Sequence, residues 1–264
     1  MYARTETLAR LMEDYGVARL GHGAREDKLG DAFEDYTVQI LSSNHLLKKA
    51  QSNQLDLRNT DEYIFNKVYK RMLEYSSRII KLDATRDIEH RFTGGNPKTD
   101  VIVDMETRDG SKISLPISVK QTTATKVAMA EFDVNTIVRE INIRDSRLIT
   151  LLEKHQRDAS AKNFTDAERQ ELFDRLEPYR RDFVRWVITG TPRPSRDLRF
   201  PELILKFQLD KADNILDIAC FTPNEYVDSL IYDRYGNVKK GGFGTGLGWT
   251  YATGSKGQKI QFKG

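Results

Sequence analysis

One aspartate and one lysine are of the types that phosphodiester hydrolysis requires, and they stand at the two ends of a predicted hairpin. Asp100 comes just before an apolar run, and Lys120 closes the largely apolar run of residues 113–119. A carboxylate can bind a divalent cation together with other oxygen ligands, while an ammonium group can orient an attacking water and offset charge on the phosphate. The pair therefore predicts metal-assisted hydrolysis centred on Asp100 and Lys120.

The length of the hairpin loop decides whether these two side chains share a face. The dipeptide Asp109-Gly110 between two β-like runs is typical of a tight hairpin turn. A three-residue loop ending at Gly110 puts Asp100 opposite Ser118, and Lys120, two residues further on, then points to the same side. A two-residue loop would turn Lys120 to the other face. The chemistry therefore requires the three-residue loop.

This arrangement resembles the PD…(D/E)xK motif of metal-dependent nucleases. The two parts of the motif read Pro97-Lys98-Thr99-Asp100 and Ser118-Val119-Lys120. The position two residues before the lysine normally carries Glu or Asp, and this chain carries Ser118 there. We still expect Ser118 to belong to the catalytic site, although its side chain is short.

A second carboxylate must come from another part of the chain, because no Asp or Glu occurs from residue 110 to residue 130. The two candidates are Glu34, on a predicted helix, and Glu131, just after the acid-free stretch. The main-chain carbonyl of Val119 and water molecules would complete a shell of oxygen ligands. We expect Mg²⁺ as the cofactor, with Asp100, Val119 and Glu34 as its ligands.

The elements around the hairpin predict an α/β fold. Apolar residues at helical spacing predict helices in the first third of the chain, and a breaker cluster at residues 93–97 ends that region. β-like runs follow at 99–107 and 112–122, and two more, at 203–209 and 215–221, extend the same sheet. The prediction is a central mixed sheet flanked by helices.

Further helices are predicted on both sides of the second pair of strands. They occupy Phe132–Ile143, Arg147–His155, the segment after a capping box of Thr165 and Glu168, Pro178–Val187, and the segment opened by Thr222-Pro223.

Basic residues are concentrated near the end of the sequence. The net charge is only +3, yet no Asp or Glu occurs from residue 234 to residue 264. The basic residues there are Arg234, Lys239, Lys240, Lys256, Lys259 and Lys263. The glycines of this segment have no fixed period, which predicts an irregular segment. Its charge favours a polyanionic partner, and aromatic residues such as Trp249 favour a docked segment over a disordered tail.

Several classes of protein are excluded by the sequence. No stretch approaches the roughly 18 apolar residues of a membrane span, and the first residues do not form a signal peptide, so we expect a cytoplasmic protein that does not bind a membrane. The single cysteine, Cys220, excludes a disulfide framework and a cysteine-ligated zinc site. The four histidines lack the spacing of zinc-protease or ββα-metal motifs, and there is no Walker A pattern.

Over nearly its whole length the chain resembles the MspI-type restriction endonucleases, which cut CCGG. The most specific stretches are Gly94–Asp100, Glu177–Arg180 and Gly242–Lys256. That family also uses an uncharged polar residue, asparagine, two positions before its lysine. The resemblance implies a restriction-endonuclease-like nuclease core with an irregular, glycine-rich, DNA-reading C-terminal segment.

The resemblance also implies a domain organisation and a function. We expect one nuclease domain over residues 1–264, with a helical part at 1–92, a catalytic core at 93–222, and a helix plus a basic tail at 223–264. The implied activity is that of a Type II site-specific deoxyribonuclease, cutting double-stranded DNA at a short palindrome such as CCGG with Mg²⁺. A cognate DNA methyltransferase would be its counterpart, and the chain would bind DNA as a monomer.

DNA contacts are predicted from residue types and from the resemblance. They comprise Lys126, Thr250, Tyr251, Thr253, Ser255, Lys256, Lys259 and Lys263. The resemblance implies base contacts for Thr250, Tyr251 and Lys263. Where the family has a hydroxyl residue near the recognition surface, this chain has Ala128, which could contact DNA only through its main chain.

A second hypothesis belongs to a different class. A non-catalytic, sequence-specific DNA-binding protein would use the same basic segment, and Asp100 and Lys120 would then be surface residues. Ser118 in the acidic position of the motif favours this alternative. Cleavage of plasmid DNA in the presence of Mg²⁺ would separate the two hypotheses.

Overall fold

Apolar residues in five runs of the chain assemble into one mixed sheet in the computed structural model of the protein. The structure describes residues 4–89, 97–255 and 257–264. The chain divides into two compact units: unit 1 comprises residues 1–125 with 197–222, and unit 2 comprises residues 126–196 with 223–264. None of the described helices is both long and apolar enough to cross a lipid bilayer.

The elements follow one another in this order. The strands are β1 Ile79–Thr85, β2 Val101–Thr107, β3 Lys112–Thr122, β4 Ala128–Phe132, β5 Leu203–Leu209, β6 Ile215–Phe221, β7 Gly248–Tyr251 and β8 Ile260–Lys263. The α-helices are α1 Glu6–Asp14, α2 His22–Leu41, α3 Asn44–Gln51, α4 Thr60–Tyr75, α5 Val134–Ile141, α6 Ser146–Arg157, α7 Asp166–Arg175, α8 Arg180–Thr189 and α9 Pro223–Ile231. Short 3₁₀ helices lie at Val17–Arg19, Glu177–Tyr179 and Thr253–Ser255.

Unit 1 is built on the five-stranded sheet, whose order is β1-β2-β3-β5-β6. The pair β3–β5 is parallel, and the other three pairs are antiparallel. The parallel pair requires a long connection, and the whole of residues 126–196 lies between those two strands in sequence. The sheet is mixed, as predicted.

Helix α2 packs against the sheet of unit 1 because its apolar residues recur at helical spacing. Leu29, Phe33 and Tyr36 are fully buried on one side of this helix. The ring of Phe33 lies 4.9 Å from that of Phe207 on β5. Burial of side chains this large stabilises the helix by about 2 kcal/mol each. The packing holds α2 against strands β1, β2 and β3.

Unit 2 combines helices α5–α9 with a three-stranded antiparallel sheet of order β4-β8-β7. One side of this sheet packs on helix α8 through aromatic rings. Phe132 stacks on Trp186 with 3.9 Å between ring centroids, and Phe262 meets Phe183 edge-on at 5.3 Å. The predicted docking of the C-terminal segment through its aromatic residues is confirmed.

Most of the elements predicted from sequence are confirmed. The runs 112–122, 203–209 and 215–221 form β3, β5 and β6, and the run 99–107 forms the shorter β2. The predicted helices after residue 145 correspond to α6, α7, α8 and α9. Thr165 and Glu168 form the expected capping box at the start of α7. These elements were predicted because helical periodicity, a capping motif or an apolar run bounded by turn residues marks each of them.

Three segments differ from the predictions. The edge strand β1 was not predicted within the region read as helical, and the helix expected from Phe132 begins at Val134 because β4 precedes it. The segment beyond residue 247 is not irregular throughout, since it contains β7 and β8. Strands of four or five residues are too short to show a period of two. Most of the breaker cluster, residues 93–96, lies outside the described residues.

Candidate active site

The hairpin of β2 and β3 has the register that places Asp100 opposite Ser118. The amide of Asp100 donates a hydrogen bond to the carbonyl oxygen of Ile117 at 2.9 Å. The loop has three residues and ends on Gly110, whose φ of 82° is a left-handed conformation that glycine adopts without strain. The predicted loop is confirmed, and Lys120 therefore shares a face with Asp100.

One carboxylate oxygen of Asp100 accepts three hydrogen bonds. The donors to Oδ2 are Ser118 Oγ at 2.9 Å, the amide of Val119 at 2.8 Å and Lys120 Nζ at 2.8 Å. Lys120 Nζ also donates to the carbonyl oxygen of Val119 at 3.0 Å. The other oxygen, Oδ1, accepts no hydrogen bond from the residues that the structure describes. The carboxylate is thus held firmly through one oxygen, and Oδ1 keeps its acceptor capacity for a cation.

Glu34 on helix α2 is the acidic residue that interacts with this group. Burial, followed by the charge of Asp100, raises the pKa of the Glu34 carboxyl to about 7, against the opposing charges of Arg86 and Lys120. A carboxylate beside another carboxylate is destabilised unless a cation is close to both. Such a pair is suited to binding a divalent cation.

Arg86, which follows strand β1, forms ion pairs with Glu34 and with two neighbouring acidic residues of helix α2. Its guanidinium contacts three carboxylates of α2: Asp31 at 2.8 Å, Glu34 at 2.5 Å and Asp35 at 2.8 Å. The residues at i, i+3 and i+4 of a helix lie on one face, so a single planar cation can reach all three. Arg86 was not predicted as a site residue, because no local pattern indicates which helix an arginine after an unrecognised strand will meet.

The side chains of the cluster are accessible from solvent only in part. The exposed fractions are 19% for Asp100, 20% for Lys120 and 21% for Glu34. Within the described ranges, no group of three or more His, Cys, Asp and Glu side chains could hold a metal ion. A cation here would therefore use two carboxylates and the Val119 carbonyl, a set of hard oxygen donors that fits Mg²⁺ and does not fit zinc.

The rival acidic candidate, Glu131, lies in unit 2. It is on strand β4, where Gln261 Nε2 donates to its Oε1 at 2.9 Å. The charge of Asp100 raises the pKa of Glu34, which favours Glu34 as the second carboxylate of the site.

Two of the predicted DNA-binding residues, Thr250 and Lys263, lie on one face of the three-stranded sheet of unit 2. The register aligns Thr250 with Gln261 and Glu131, and Gly248 with Lys263 and Ala128. Side chains alternate across a sheet, so these residues lie opposite the aromatic side that packs on α8. We call this side the outer face; its members are Ala128, Glu131, Gly248, Thr250, Gln261 and Lys263.

The other predicted contacts are placed less uniformly. Tyr251 is 44% exposed at the end of β7, and Lys259 is exposed just before β8. Ser255 Oγ caps a turn by accepting from the amide of Lys259 and donating to the carbonyl of Ala252. Lys126 Nζ donates to the carbonyl oxygen of Gly246. Lys256 and the side chain of Thr253 lie outside what the structure describes.

Comparison with known proteins gives consistent results. The family model for the restriction endonuclease MspI matches residues 11–264. The Type II restriction enzyme MspI of Moraxella sp is 36% identical over 266 residues, which cover 99% of this chain and 100% of that enzyme. The Type II restriction enzyme BsuFI of Bacillus subtilis is 28% identical over 261 residues, covering 93% of this chain and 61% of that enzyme. The crystal structure of MspI in complex with its cognate DNA matches with a TM-score of 0.86 at 35% identity, over 99% of this chain and 100% of that chain.

The mixed sheet and the Asp–Lys pair on its hairpin define a nuclease of the PD…(D/E)xK class, a site-specific deoxyribonuclease. The chain belongs to the MspI restriction endonuclease family. Both named relatives are restriction enzymes, so the alternative of a non-catalytic DNA-binding protein is set aside.

Proposed function

We propose that this protein is a Mg²⁺-dependent endonuclease that cleaves double-stranded DNA at CCGG. The single observation that carries the catalytic part is the cluster in which Asp100 Oδ2 accepts from Ser118, Val119 and Lys120 while Glu34 lies nearby. The recognition sequence CCGG is proposed from the resemblance to MspI-type enzymes. The protein would act in the cytoplasm as a monomer over its whole length, with a cognate methyltransferase protecting the host DNA.

The residues of the cluster divide the chemistry between them. Asp100, Glu34 and the Val119 carbonyl would hold the cation, which when bound supplies a Lewis acid and makes water a better nucleophile. Ser118 and the Val119 amide hold Asp100 in place, so that its orientation costs nothing at the moment of reaction. Lys120, 2.8 Å from Asp100 Oδ2, would orient the attacking water and offset the charge that develops on the phosphate.

The outer face of unit 2 would read the bases. Thr250 and Lys263 offer a hydroxyl and an ammonium group in neighbouring rows of the sheet. A two-stranded ribbon fits the major groove of DNA, and lysine recognises O6 and N7 of guanine there. Lys126, Tyr251, Ser255 and Lys259 would add contacts at the margin, some of them to phosphates.

Incubation with supercoiled plasmid, with and without Mg²⁺, tests the proposal. We expect discrete linear fragments in the presence of Mg²⁺ only, and fragment ends that sequence to CCGG. Asp100→Ala is the matched control for a contaminating nuclease, since it should yield no fragments. Fragments with ends of another single sequence would contradict the assignment of CCGG while leaving the nuclease intact. An absence of cleavage would contradict the catalytic proposal itself.

A further inference from the structure

The sheet of unit 2 carries a carboxylate in a place where DNA binding alone would disfavour one. Glu131 is the only acidic residue in β4, β7 and β8, and no Asp or Glu occurs in residues 110–130 or 234–264. A carboxylate near phosphates is repelled by them and weakens binding to every DNA sequence alike. A lone acid on such a surface therefore needs a specific partner.

The position of Glu131 on the outer face follows from the register. Glu131 pairs with Gln261 on β8, and Gln261 pairs with Thr250 on β7. The neighbouring residues Phe132 and Phe262 point the opposite way, toward Trp186 and Phe183 of α8. Glu131 is thus half-buried at one end of a row of polar side chains, next to the row that contains Lys263.

A chain of hydrogen bonds along this row determines which donors and acceptors remain available to a ligand. Gln261 Nε2 donates to Glu131 Oε1 at 2.9 Å, and Thr250 Oγ1 donates to Gln261 Oε1 at 3.2 Å. Both ends of the Gln261 amide are thereby used. Glu131 forms no ion pair with any cation in the described part of the chain, so its Oε2 keeps an unshared acceptor. A carboxylate has no proton to donate, so this acceptor can meet only a donor.

We propose that Glu131 is a specificity-determining residue that reads cytosine, by accepting a hydrogen bond from the exocyclic N4 amino group in the major groove. The inference rests on the proposed function, because it takes the outer face as the surface that meets the bases. Glutamate recognises cytosine in this manner since N4 is the only polar group that cytosine presents in that groove.

The other bases fit this acceptor less well. Guanine presents two acceptors and thymine presents O4, and each would be repelled by a carboxylate. Adenine offers its N6 amino group beside the N7 acceptor, and only a group with both a donor and an acceptor satisfies the two. The same acidic group that weakens binding to DNA in general therefore favours cytosine over the other three bases at one position.

The decisive experiment combines a protein change with a base change. Glu131→Gln keeps the oxygen that Gln261 holds and replaces the other oxygen by an amide nitrogen, so the acceptor toward the base becomes a donor. Binding would be measured with Ca²⁺ in place of Mg²⁺ on three duplexes: one with CCGG, one with a cytosine replaced by 2-pyrimidinone, which lacks the N4 amino group, and one scrambled. Each of the two cytosines of the half-site would be replaced in turn.

We expect the wild type to lose roughly 10- to 100-fold in affinity when the amino group is removed from one of the cytosines. Glu131→Gln should bind CCGG weaker by a similar factor and should be almost indifferent to that base change. It should bind the scrambled duplex at least as tightly as the wild type does, because the repulsion between the carboxylate and the phosphates is removed. Glu153→Gln, an exposed acid of α6 in the same unit, is the charge-matched control and should behave as the wild type.

Two results would overturn the inference. If the wild type and Glu131→Gln lose the same factor on removal of the amino group, Glu131 does not read it. If Glu131→Gln loses affinity equally on CCGG and on the scrambled duplex, its role is structural. A wild type with no preference for CCGG over the scrambled duplex would contradict the proposed recognition site as well, which distinguishes the two failures.

Discussion

Asp100 on the five-stranded sheet and Lys263 on the three-stranded sheet are held in opposite ways. On the five-stranded sheet, one oxygen of Asp100 accepts three hydrogen bonds from its own hairpin. On the outer face of the three-stranded sheet, Lys263 Nζ forms no hydrogen bond or ion pair with any residue that the structure describes. A group that acts on charge in a transition state gains from being fixed in advance, whereas a group that recognises a ligand must keep its bonding capacity free.

The largest effect is expected when either member of the Asp100–Lys120 pair is removed. Asp100→Ala and Lys120→Ala should each lower the rate of cleavage at least about 10³-fold, because both act on charge that develops in the transition state. Binding to CCGG in Ca²⁺ should change by less than about tenfold. The two quantities are measured on the same duplex. Either variant cutting at close to the wild-type rate would show that the hairpin is not the catalytic site.

Lowering the pH should destabilise the folded protein through His155, which is buried in the core of unit 2. Burial lowers the pKa of this imidazole to about 4, and the charge of Asp158 opposes the shift only in part. Its ring lies among Phe164, Phe243 and Trp249. Below the ordinary pKa of about 6.5, His155 binds a proton in the unfolded chain, whereas in the folded chain it binds one only near pH 4. The free energy of unfolding therefore falls as the pH falls through this range.

The expected loss is about 1.4 kcal/mol per pH unit in this window, beyond the contribution of other groups. Urea unfolding from pH 7 to pH 4.5 measures it, and His155→Phe should flatten the wild-type dependence by that amount. His45→Gln, at an exposed position of α3, should leave it unchanged. Parallel curves for the wild type and His155→Phe would mean that the folded protein accommodates the charged imidazole.

Lys263 distinguishes base reading from simple attraction to phosphates. Lys263→Ala should cost roughly 1–3 kcal/mol on CCGG and far less on a scrambled duplex, if its ammonium group reads guanine. A phosphate contact would weaken both duplexes about equally and reduce the salt dependence by about one unit of slope. Binding at several salt concentrations decides between them. Equal losses on the two duplexes would contradict guanine reading.

Arg86 and Glu34 test whether the acidic helix supports the cation. Glu34→Gln should raise the Mg²⁺ concentration for half-maximal cleavage by about tenfold, and Arg86→Ala should do so through loss of the contact that holds Glu34. Binding of Ca²⁺ to each variant, measured by calorimetry, should weaken in parallel. Arg86→Lys should recover part of the effect, since it restores the charge. If Glu131→Gln changes the metal dependence and Glu34→Gln does not, the roles of the two acids are reversed.

Ser118→Ala should have the smallest effect, a few-fold loss of rate. Its hydroxyl is one of three donors to Asp100 Oδ2, and the amide of Val119 and the ammonium of Lys120 remain. Thermal unfolding serves as the control, because Ser118 is fully buried and a loss of stability would lower the rate indirectly. Complete loss of cleavage in a stably folded variant would show that the hydroxyl has a direct part in the reaction.

Local sequence determined the hairpin and its chemistry. The alternation of β2 and β3, the dipeptide Asp109-Gly110 and the spacing of Asp100 and Lys120 all act within a few tens of residues, and they are enough to predict which side chains share a face. The capping box at Thr165 is local in the same sense. These predictions hold because turn conformation and strand alternation depend on neighbouring residues only.

Tertiary structure alone decided the position of the second carboxylate and the pairing of the strands in the sheet of unit 2. Glu34 is more than sixty residues from Asp100 in sequence, and β4 is more than one hundred residues from its partner β8. Neither pairing leaves a periodic signal, because what brings distant segments together is the burial of Phe33, Phe132 and Phe262 against partners elsewhere in the chain. That burial must offset the entropy of closing a long loop, and it depends on the whole fold. The sequence alone could therefore narrow the second carboxylate to two residues, and the packing of α2 was needed to favour Glu34.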